Sequence, residues 1–168
     1  MPEKRTLERA QRDRRQGKAA STQAGEFIRE EMDHIREGKH GARSAKQAIA
    51  IGLSKARRAG VELRPPRNAA SKQTRQRAAR DYAVGHGAPK RKRTSTAKRS
   101  RASLRAMRRE RTDTVSQAAL ASQARSAARR RTPAQRSAAA RKAVRTKGPA
   151  RRSAAARKGA QSRAQHRA

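Results

Sequence analysis

Large apolar side chains are the scarcest component of this 168-residue chain, and their scarcity limits what it can fold into. Leu, Ile, Val and Phe together number 14 of the 168 residues, about 8%. This fraction is far below the roughly 20% under which a highly charged chain is expected to be disordered. Fixing the backbone costs about 1–2 kcal/mol per residue, whereas burying a Val, Leu or Ile returns only about 1.5–3 kcal/mol. The sequence therefore argues against a large core, an internal active-site cavity and a conventional globular enzyme.

Positive charge is concentrated in the second part of the chain. The sequence carries a net charge of +35, from 47 Lys and Arg against 12 Asp and Glu. Residues 1–62 hold 15 basic and nine acidic side chains, whereas residues 63–168 hold 32 basic and three acidic ones. All four Ile and the only Phe lie within residues 27–53. We therefore predict a mainly α protein, in which a small αα-hairpin precedes a long basic tail that is largely disordered or conditionally helical.

Residues 21–63 have the spacing of that hairpin. We expect Ser21 or Thr22 to cap a first helix that ends at Gly38, and Ser44 to cap a second helix over about 45–59 that ends at Gly60. Apolar and small residues recur at helical spacing in both segments, and the two stripes are Ala24, Phe27, Ile28, Met32 and Ile35, then Ala45, Ile49, Gly52, Leu53 and Ala56.

Three interpretations of this hairpin remain open. It is a marginal hairpin with a solvated polar face, a dimerisation motif, or a pair whose second helix enters a nucleic-acid groove. The seven-residue connection is longer than that of a helix-turn-helix, and the sequence indicates no third helix to brace the pair. Exposed Ile51 would gain from a partner, so a homodimer through 21–63 stays open as an alternative.

Proline and glycine residues divide the rest of the chain. We expect a mixed-charge N-terminal arm at 1–20, a linker with Pro and Gly breaks at 64–94, weak helices at 95–131, and Ala/Arg-rich repeats at 132–168. The stretch 133–144 recurs sixteen residues later as 149–160. Thr132 and Gln135 have the spacing of a capping box at the start of the first repeat, and Gly148 closes it.

The sequence offers no catalytic or metal-binding pattern, so we expect no enzyme, no metal and no cofactor. There is no Cys, which excludes disulfides and thiolate chemistry. His34 has helical spacing to Glu30 or Glu37, but two ligands do not make a metal site. His40, in a glycine-flanked loop, is the one histidine in a polar cluster suited to touching a phosphate. The longest apolar run, Ala48–Leu53, is too short for a membrane span or signal-peptide core, and we expect a cytosolic protein.

The charge balance points to a polyanionic partner. Arg outnumbers Lys by 35 to 12, and guanidinium binds phosphate bidentately. A net charge of +35 would balance roughly 60 Å of duplex DNA. With only Phe27 and Tyr82 as aromatic residues, stacking on bases is not supported. The candidate phosphate-binding residues are Arg43, Lys46, Arg57, Arg58, Arg91, Lys92, Arg93, Arg108, Arg109, Arg129, Arg130, Arg131, Arg141, Lys142, Arg151, Arg152, Arg157 and Lys158.

Residues 23–61 resemble a family of short, basic bacterial proteins classed as a domain of unknown function. The resemblance rests on Gln-Ala-Gly-Glu-Phe-Ile-Arg-Glu-Glu at 23–31, Arg-Glu-Gly-Lys-His-Gly-Ala-Arg-Ser at 36–44 and Lys-Gln-Ala-Ile-Ala-Ile-Gly-Leu-Ser-Lys-Ala-Arg-Arg-Ala-Gly-Val at 46–61. It implies a bacterial origin and brings no catalytic residues. The tail is similar in composition to bacterial histone H1-like proteins, although those tails are richer in Lys and Pro.

Together these features predict a non-enzymatic, nucleoid-associated protein that binds DNA without sequence specificity, by neutralising phosphates. One alternative is an RNA- or ribosome-associated protein, because Arg suits RNA as well as DNA. Another alternative is a protein-interaction module at 21–63 that the tail tethers to nucleic acid. None of these predictions involves a membrane partner.

Overall fold

A computed structural model describes residues 2–66, 71–89 and 97–165 of the chain, and all regular structure in these ranges is helical. The mainly α class is therefore confirmed. The chain divides into two compact units, Met1–Gln123 and Ala124–Ala168. In chain order the elements are α1 (Lys4–Arg15), α2 (Ala20–Arg36), α3 (Ala45–Arg58), α4 (Lys72–Gly85), α5 (Ala97–Arg108), a 3-10 turn (Asp113–Val115), α6 (Gln117–Arg129) and α7 (Pro133–Gln165).

The core of the first unit is small and built largely from alanine. Within the described residues, seven of the 11 buried hydrophobic side chains are Ala, and Phe27 and Ile35 are the largest of the others. One cluster joins Phe27 to Ala10, Ala24, Ala56 and Val61. Small side chains let helix axes approach closely. Many short van der Waals contacts between the helices therefore take the place of contacts between large apolar side chains, which are scarce in this sequence.

Helices α2 and α3 pack against each other through such a close approach. A Cβ at Gly52 would lie 2.7 Å from the Cα of Ile28, so only glycine fits there. Gly38 follows α2 with φ of 72°, as a helix-ending glycine should. The hydroxyl of Ser44 accepts a hydrogen bond from the Gln47 amide (3.3 Å) and caps α3. These features agree with the sequence prediction.

The predicted cap of the first helix is wrong. Helix α2 begins at Ala20, after Ala19, which makes no side-chain cap. Ser21 and Thr22 lie inside the helix rather than before it. The chain enters α2 through Lys18, whose ammonium pairs with Asp13 of α1 at 2.7 Å and whose carbonyl accepts a hydrogen bond from the Gln23 side chain at 2.9 Å.

Helix α1 overturns the prediction of an N-terminal arm at 1–20. It packs along α2, with Leu7 and Ala10 against the cluster around Phe27. Asp13 is buried on its inner side. This packing leaves little trace in the sequence, because α1 buries one Leu, Ala and polar side chains rather than an apolar stripe.

Within the predicted linker at 64–94, the Ala/Arg/Gln-rich stretch 69–84 was expected to be only weakly helical, and the structure shows there the docked helix α4. It packs on α3, and a Cβ at Gly85 would overlap the carbonyl oxygen of Arg57. Ser54 donates a hydrogen bond to Asp81 at 2.6 Å across the same contact. The rest of that predicted linker, at 67–70 and 90–94, lies outside the described residues.

The end of α5 and the segment after it brace the α2–α3 pair, although the sequence indicated no third helix that would do so. The amide of Gly41 donates to the carbonyl of Met107 (2.9 Å), and that of Ala42 donates to the carbonyl of Arg111 (3.0 Å). Val115 is 1% exposed and packs in a cluster with Ile35. The loop between α2 and α3 is therefore fixed by residues about 70 positions later in the chain.

The second unit is helical, so the prediction of a largely disordered tail is wrong. Thr132 and Gln135 exchange the two hydrogen bonds of a capping box, at 3.1 and 3.2 Å. The chain then breaks at Gly148 (φ 67°, ψ 170°), and a second helix starts at Pro149. The predicted start of one repeat and the break between the two are confirmed. Alanine and arginine are strong helix formers, which explains helix without a core.

Candidate nucleic-acid interface

The second unit presents cations without internal counter-charges. Residues 124–165 contain 14 Lys and Arg, and no side-chain carboxylate follows Asp113 in the sequence. The basic residues of this range whose side chains are described are all exposed: Arg125, Arg129, Arg130, Arg131, Arg136, Arg141, Lys142, Arg145, Arg151, Arg152, Arg157, Lys158 and Arg163. No acidic side chain of this unit can neutralise them, so they are open to an external polyanion.

The two repeats of α7 place cations around the helix rather than on one side. Arg136, Arg141 and Lys142 recur sixteen residues later as Arg152, Arg157 and Lys158. At about 100° per residue, the three positions of each repeat point about 100–140° apart. Val144 is 44% exposed, and the repeats have no apolar stripe. Such a helix suits a groove with phosphates on both walls better than it suits a protein surface.

Some cations of the first unit have acidic neighbours within it. Arg43, whose side chain is 80% exposed, lies 3.2 Å from Glu110 through its Nε. Arg58 is exposed, donates to the Ser54 carbonyl (3.3 Å) and lies 3.7 Å from Asp81. These two predicted phosphate-binding residues therefore already have acidic neighbours.

Three further predicted residues of the first unit lie on its surface. Lys46, Arg108 and Arg109 are exposed. A phosphate could reach each of them without any change in the fold. The predicted basic run Arg91, Lys92 and Arg93 lies outside the described residues.

Arg57 belongs to the fold, and its inclusion among the phosphate-binding residues is wrong. Its side chain is 9% exposed, and its Nε donates a hydrogen bond to the carbonyl of Leu63 at 3.1 Å. Burial lowers the pKa of the guanidinium below its ordinary value. Arg57 holds the extended chain after α3 against that helix, so a phosphate could not reach it without unfolding the contact.

A buried polar cluster beneath α2 was not predicted from the sequence. Glu31 is fully buried, and Lys55 Nζ of α3 lies 2.7 Å from its Oε2 and 3.2 Å from Oε1 of Glu30. Glu31 stands four residues after Phe27 and four before Ile35, on the buried side of the helix. That spacing is the signal that could have revealed the burial of Glu31. We did not include Glu31 in the buried stripe, because Glu is rarely buried.

Histidines from two segments approach the same cluster. His40 Nε2 lies 3.5 Å from Glu31 Oε1, and His34 Nε2 lies 2.8 Å from Oε1 of Glu3. Each of Glu31, His34 and His40 offers one ligand atom within 4.8 Å of the others. Sequence spacing paired His34 only with its helical neighbours, because the turn that returns His40 to α2 cannot be read from spacing.

In residues 2–66, 71–89 and 97–165, no helix combines the length and apolar character needed to cross a membrane. Comparison of the chain with family models, with curated proteins and with solved structures gives no match.

Proposed function

We propose that this chain binds nucleic acid, with duplex DNA as the preferred partner, by neutralising phosphates without reading sequence. The observation that carries the proposal is the second unit, in which every described Lys and Arg side chain is exposed and no side-chain carboxylate is present. Holding so many like charges together is unfavourable until a polyanion binds. As part of the same proposal, the protein acts in the bacterial nucleoid, in the manner of histone H1-like proteins.

Binding in this proposal is driven by counterion release. Each Lys or Arg that contacts a phosphate displaces condensed cations from the duplex, and affinity then falls steeply with salt. Arginine holds a phosphate through two parallel hydrogen bonds, and 35 of the 47 basic residues are Arg. Because phosphate contacts position a protein without specifying bases, we expect one affinity for duplexes of different sequence.

The repeats of α7 supply the binding surface in this proposal, and the first unit contributes less. Arg43 and Arg58 have acidic neighbours, whereas the cations of residues 124–165 have none within their own unit. Lys46, Arg108 and Arg109 are exposed and add contacts of their own.

Equilibrium binding at physiological salt tests the proposal. The full chain is titrated against two duplexes of unrelated sequence and against a structured RNA. The matched variants replace Arg141, Lys142, Arg157 and Lys158 with Gln, or Arg141 and Arg157 with Lys. We expect equal affinity for the two duplexes, weaker binding to RNA, and a larger loss of affinity on replacement with Gln than with Lys, which keeps the charge but not the paired hydrogen bonds. A strong preference for RNA would support the ribosome- or RNA-associated alternative instead.

A further inference from the structure

Glu31 has a buried carboxylate whose two oxygens accept no hydrogen bond from the described residues. Its side chain is fully buried. Lys55 Nζ lies 2.7 Å from Oε2 and compensates the charge on that side without the geometry of a hydrogen bond. Oε1 faces His40 at 3.5 Å. Buried polar atoms are nearly always satisfied in native proteins, so Oε1 requires an explanation.

The orientation of His40 sharpens the question. Its Nδ1 lies 3.2 Å from the carbonyl oxygen of Gly41, which can only accept, so Nδ1 carries the proton. In the neutral ring Nε2 then carries a lone pair and is an acceptor, and this lone pair faces the carboxylate oxygen of Glu31. Two acceptors that face each other repel unless a proton or a metal cation stands between them. A histidine whose outer nitrogen donates to a carbonyl is the usual arrangement of a metal ligand.

His34 completes a set of three donors. It stands three residues after Glu31 on α2, and one atom of each of Glu31, His34 and His40 lies within 4.8 Å of the others. A tetrahedral zinc ion with bonds of about 2.0–2.1 Å separates its ligands by about 3.4 Å, so the set needs only a modest contraction. Two imidazoles and one carboxylate form a donor set that suits zinc and its transition-metal neighbours, not Mg²⁺ or Ca²⁺.

The surroundings favour a cation even though the whole chain is strongly basic. Among the described residues, the carboxylates of Glu3, Glu30 and Glu31 face the two ammonium groups of Lys39 and Lys55. A cleft of about 150 Å³ between α1 and α2 is lined by Glu3, Glu30 and His34. Of the three donors, His34 is the one that lines this cleft.

From these contacts we propose that Glu31, His34 and His40 form a binding site for one zinc-class divalent metal ion. Glu31 Oε1 and one nitrogen of each histidine are the ligands, while Lys55 stays on Oε2. The ion ties α2 to the loop that carries His40, which stabilises a unit whose core is mostly alanine. The site lies in the first unit and is independent of the proposed binding of nucleic acid.

Titration of metal-free full-length protein with Zn²⁺, and with Co²⁺ as a spectroscopic probe, tests the site. We expect one ion per chain, tetrahedral Co²⁺ absorption bands that Zn²⁺ abolishes, and a higher melting temperature with metal. His40→Ala and His34→Ala each remove a ligand and should weaken binding by more than the roughly 10–100-fold that loss of an outer-shell partner costs. His86→Ala is the matched control, because it removes a histidine outside the cluster.

Circular dichroism of each variant establishes that it is folded before the titration is interpreted. His34 lies within α2, where alanine is a strong helix former, so His34→Ala keeps the test valid if His40→Ala fails to fold. No uptake of Zn²⁺ by the wild type would overturn the proposal, and so would uptake that survives both substitutions. A proton-bridged Glu31–His40 pair in a protein that takes up no Zn²⁺ would overturn it as well. DNA affinity without metal tests the proposed function separately.

Discussion

Gly41 lies so close to Glu110 that a Cβ on the glycine would overlap the glutamate's carbonyl oxygen. The Gly41 amide also donates a hydrogen bond to the carbonyl of Met107 at 2.9 Å. This contact joins the loop after α2 to the end of α5. It also fixes the backbone next to His40.

We therefore expect Gly41→Ala to destabilise the first unit by about 1–3 kcal/mol, because backbone atoms cannot move aside as a flexible side chain can. Gly25→Ala is the matched control. Gly25 lies inside α2 with no atom near the added methyl group, so alanine there should stabilise the helix by about 0.5–1 kcal/mol. Urea unfolding followed by circular dichroism measures both, and equal effects of the two substitutions would contradict the docked loop.

Substituting a buried arginine should affect the stability of the fold, whereas substituting an exposed arginine should affect binding to DNA. Arg57→Gln removes the hydrogen bond to Leu63 and should cost about 1–3 kcal/mol of stability, with little loss of affinity for DNA. Arg129→Gln removes the same charge from the second unit and should weaken DNA binding without affecting stability. Urea unfolding and equilibrium binding are measured on both variants. A large loss of DNA affinity in folded Arg57→Gln would return that residue to the interface.

The phenol of Tyr82 reports whether α4 is docked. Its O–H donates to Glu62, which raises the pKa of Tyr82 above the ordinary value of 10.0. Because Tyr82 is the only Tyr and there is no Trp, phenolate absorbance follows this one group. Glu62→Gln should lower the pKa of Tyr82 toward 10.0, whereas Glu8→Gln on the exposed side of α1 should leave it unchanged.

The same pair gives stability a dependence on pH. The hydrogen bond that Tyr82 donates to Glu62 lowers the pKa of Glu62 below its ordinary 4.5, and the contact with His86 lowers it further by a smaller amount. A lowered folded-state pKa stabilises the native state above the ordinary value, and the contribution is lost as pH falls through the lowered one. Melting temperature should therefore decline more steeply below pH 4.5 in the wild type than in Glu62→Gln. Parallel curves would exclude the ionised contact.

Binding of phosphate should stabilise the helices of the second unit. Like charges on residues 124–168 repel one another, and a polyanion removes that repulsion. Adding duplex DNA to the full chain should therefore raise the temperature at which the helical circular dichroism signal is lost, and high salt should do so in part. A melting curve that saturation with DNA leaves unchanged would contradict this stabilisation.

Local signals in this sequence predicted the fold better than composition did. Ser44, Thr132 and the glycines at 38, 60 and 148 mark helix ends that the structure confirms. Helix α1 and the docking of α4 were not predicted, because both helices dock through alanine, glycine and polar pairs such as Ser54–Asp81, which a count of large apolar residues ignores.

The burial of Glu31 could be read from its helical spacing, but the partners of Glu31 were beyond sequence reasoning for a different reason. Lys55 reaches Glu31 from another helix, and His40 returns to Glu31 only because the loop is held by the segment after α5. Such contacts depend on tertiary packing and leave no spacing to read. The basic residues, in contrast, were visible in the charge distribution, and among the described ones Arg57 proved to be buried.

The salt dependence of DNA affinity decides whether phosphate neutralisation drives binding. The logarithm of the association constant of the full chain is measured against the logarithm of salt concentration. The same is done for the variant with Gln at Arg141, Lys142, Arg157 and Lys158. We expect a steep negative slope, which the variant flattens by about 0.9 for each phosphate that it no longer neutralises. A slope near zero, or one that the four substitutions leave unchanged, would refute binding by phosphate neutralisation through α7.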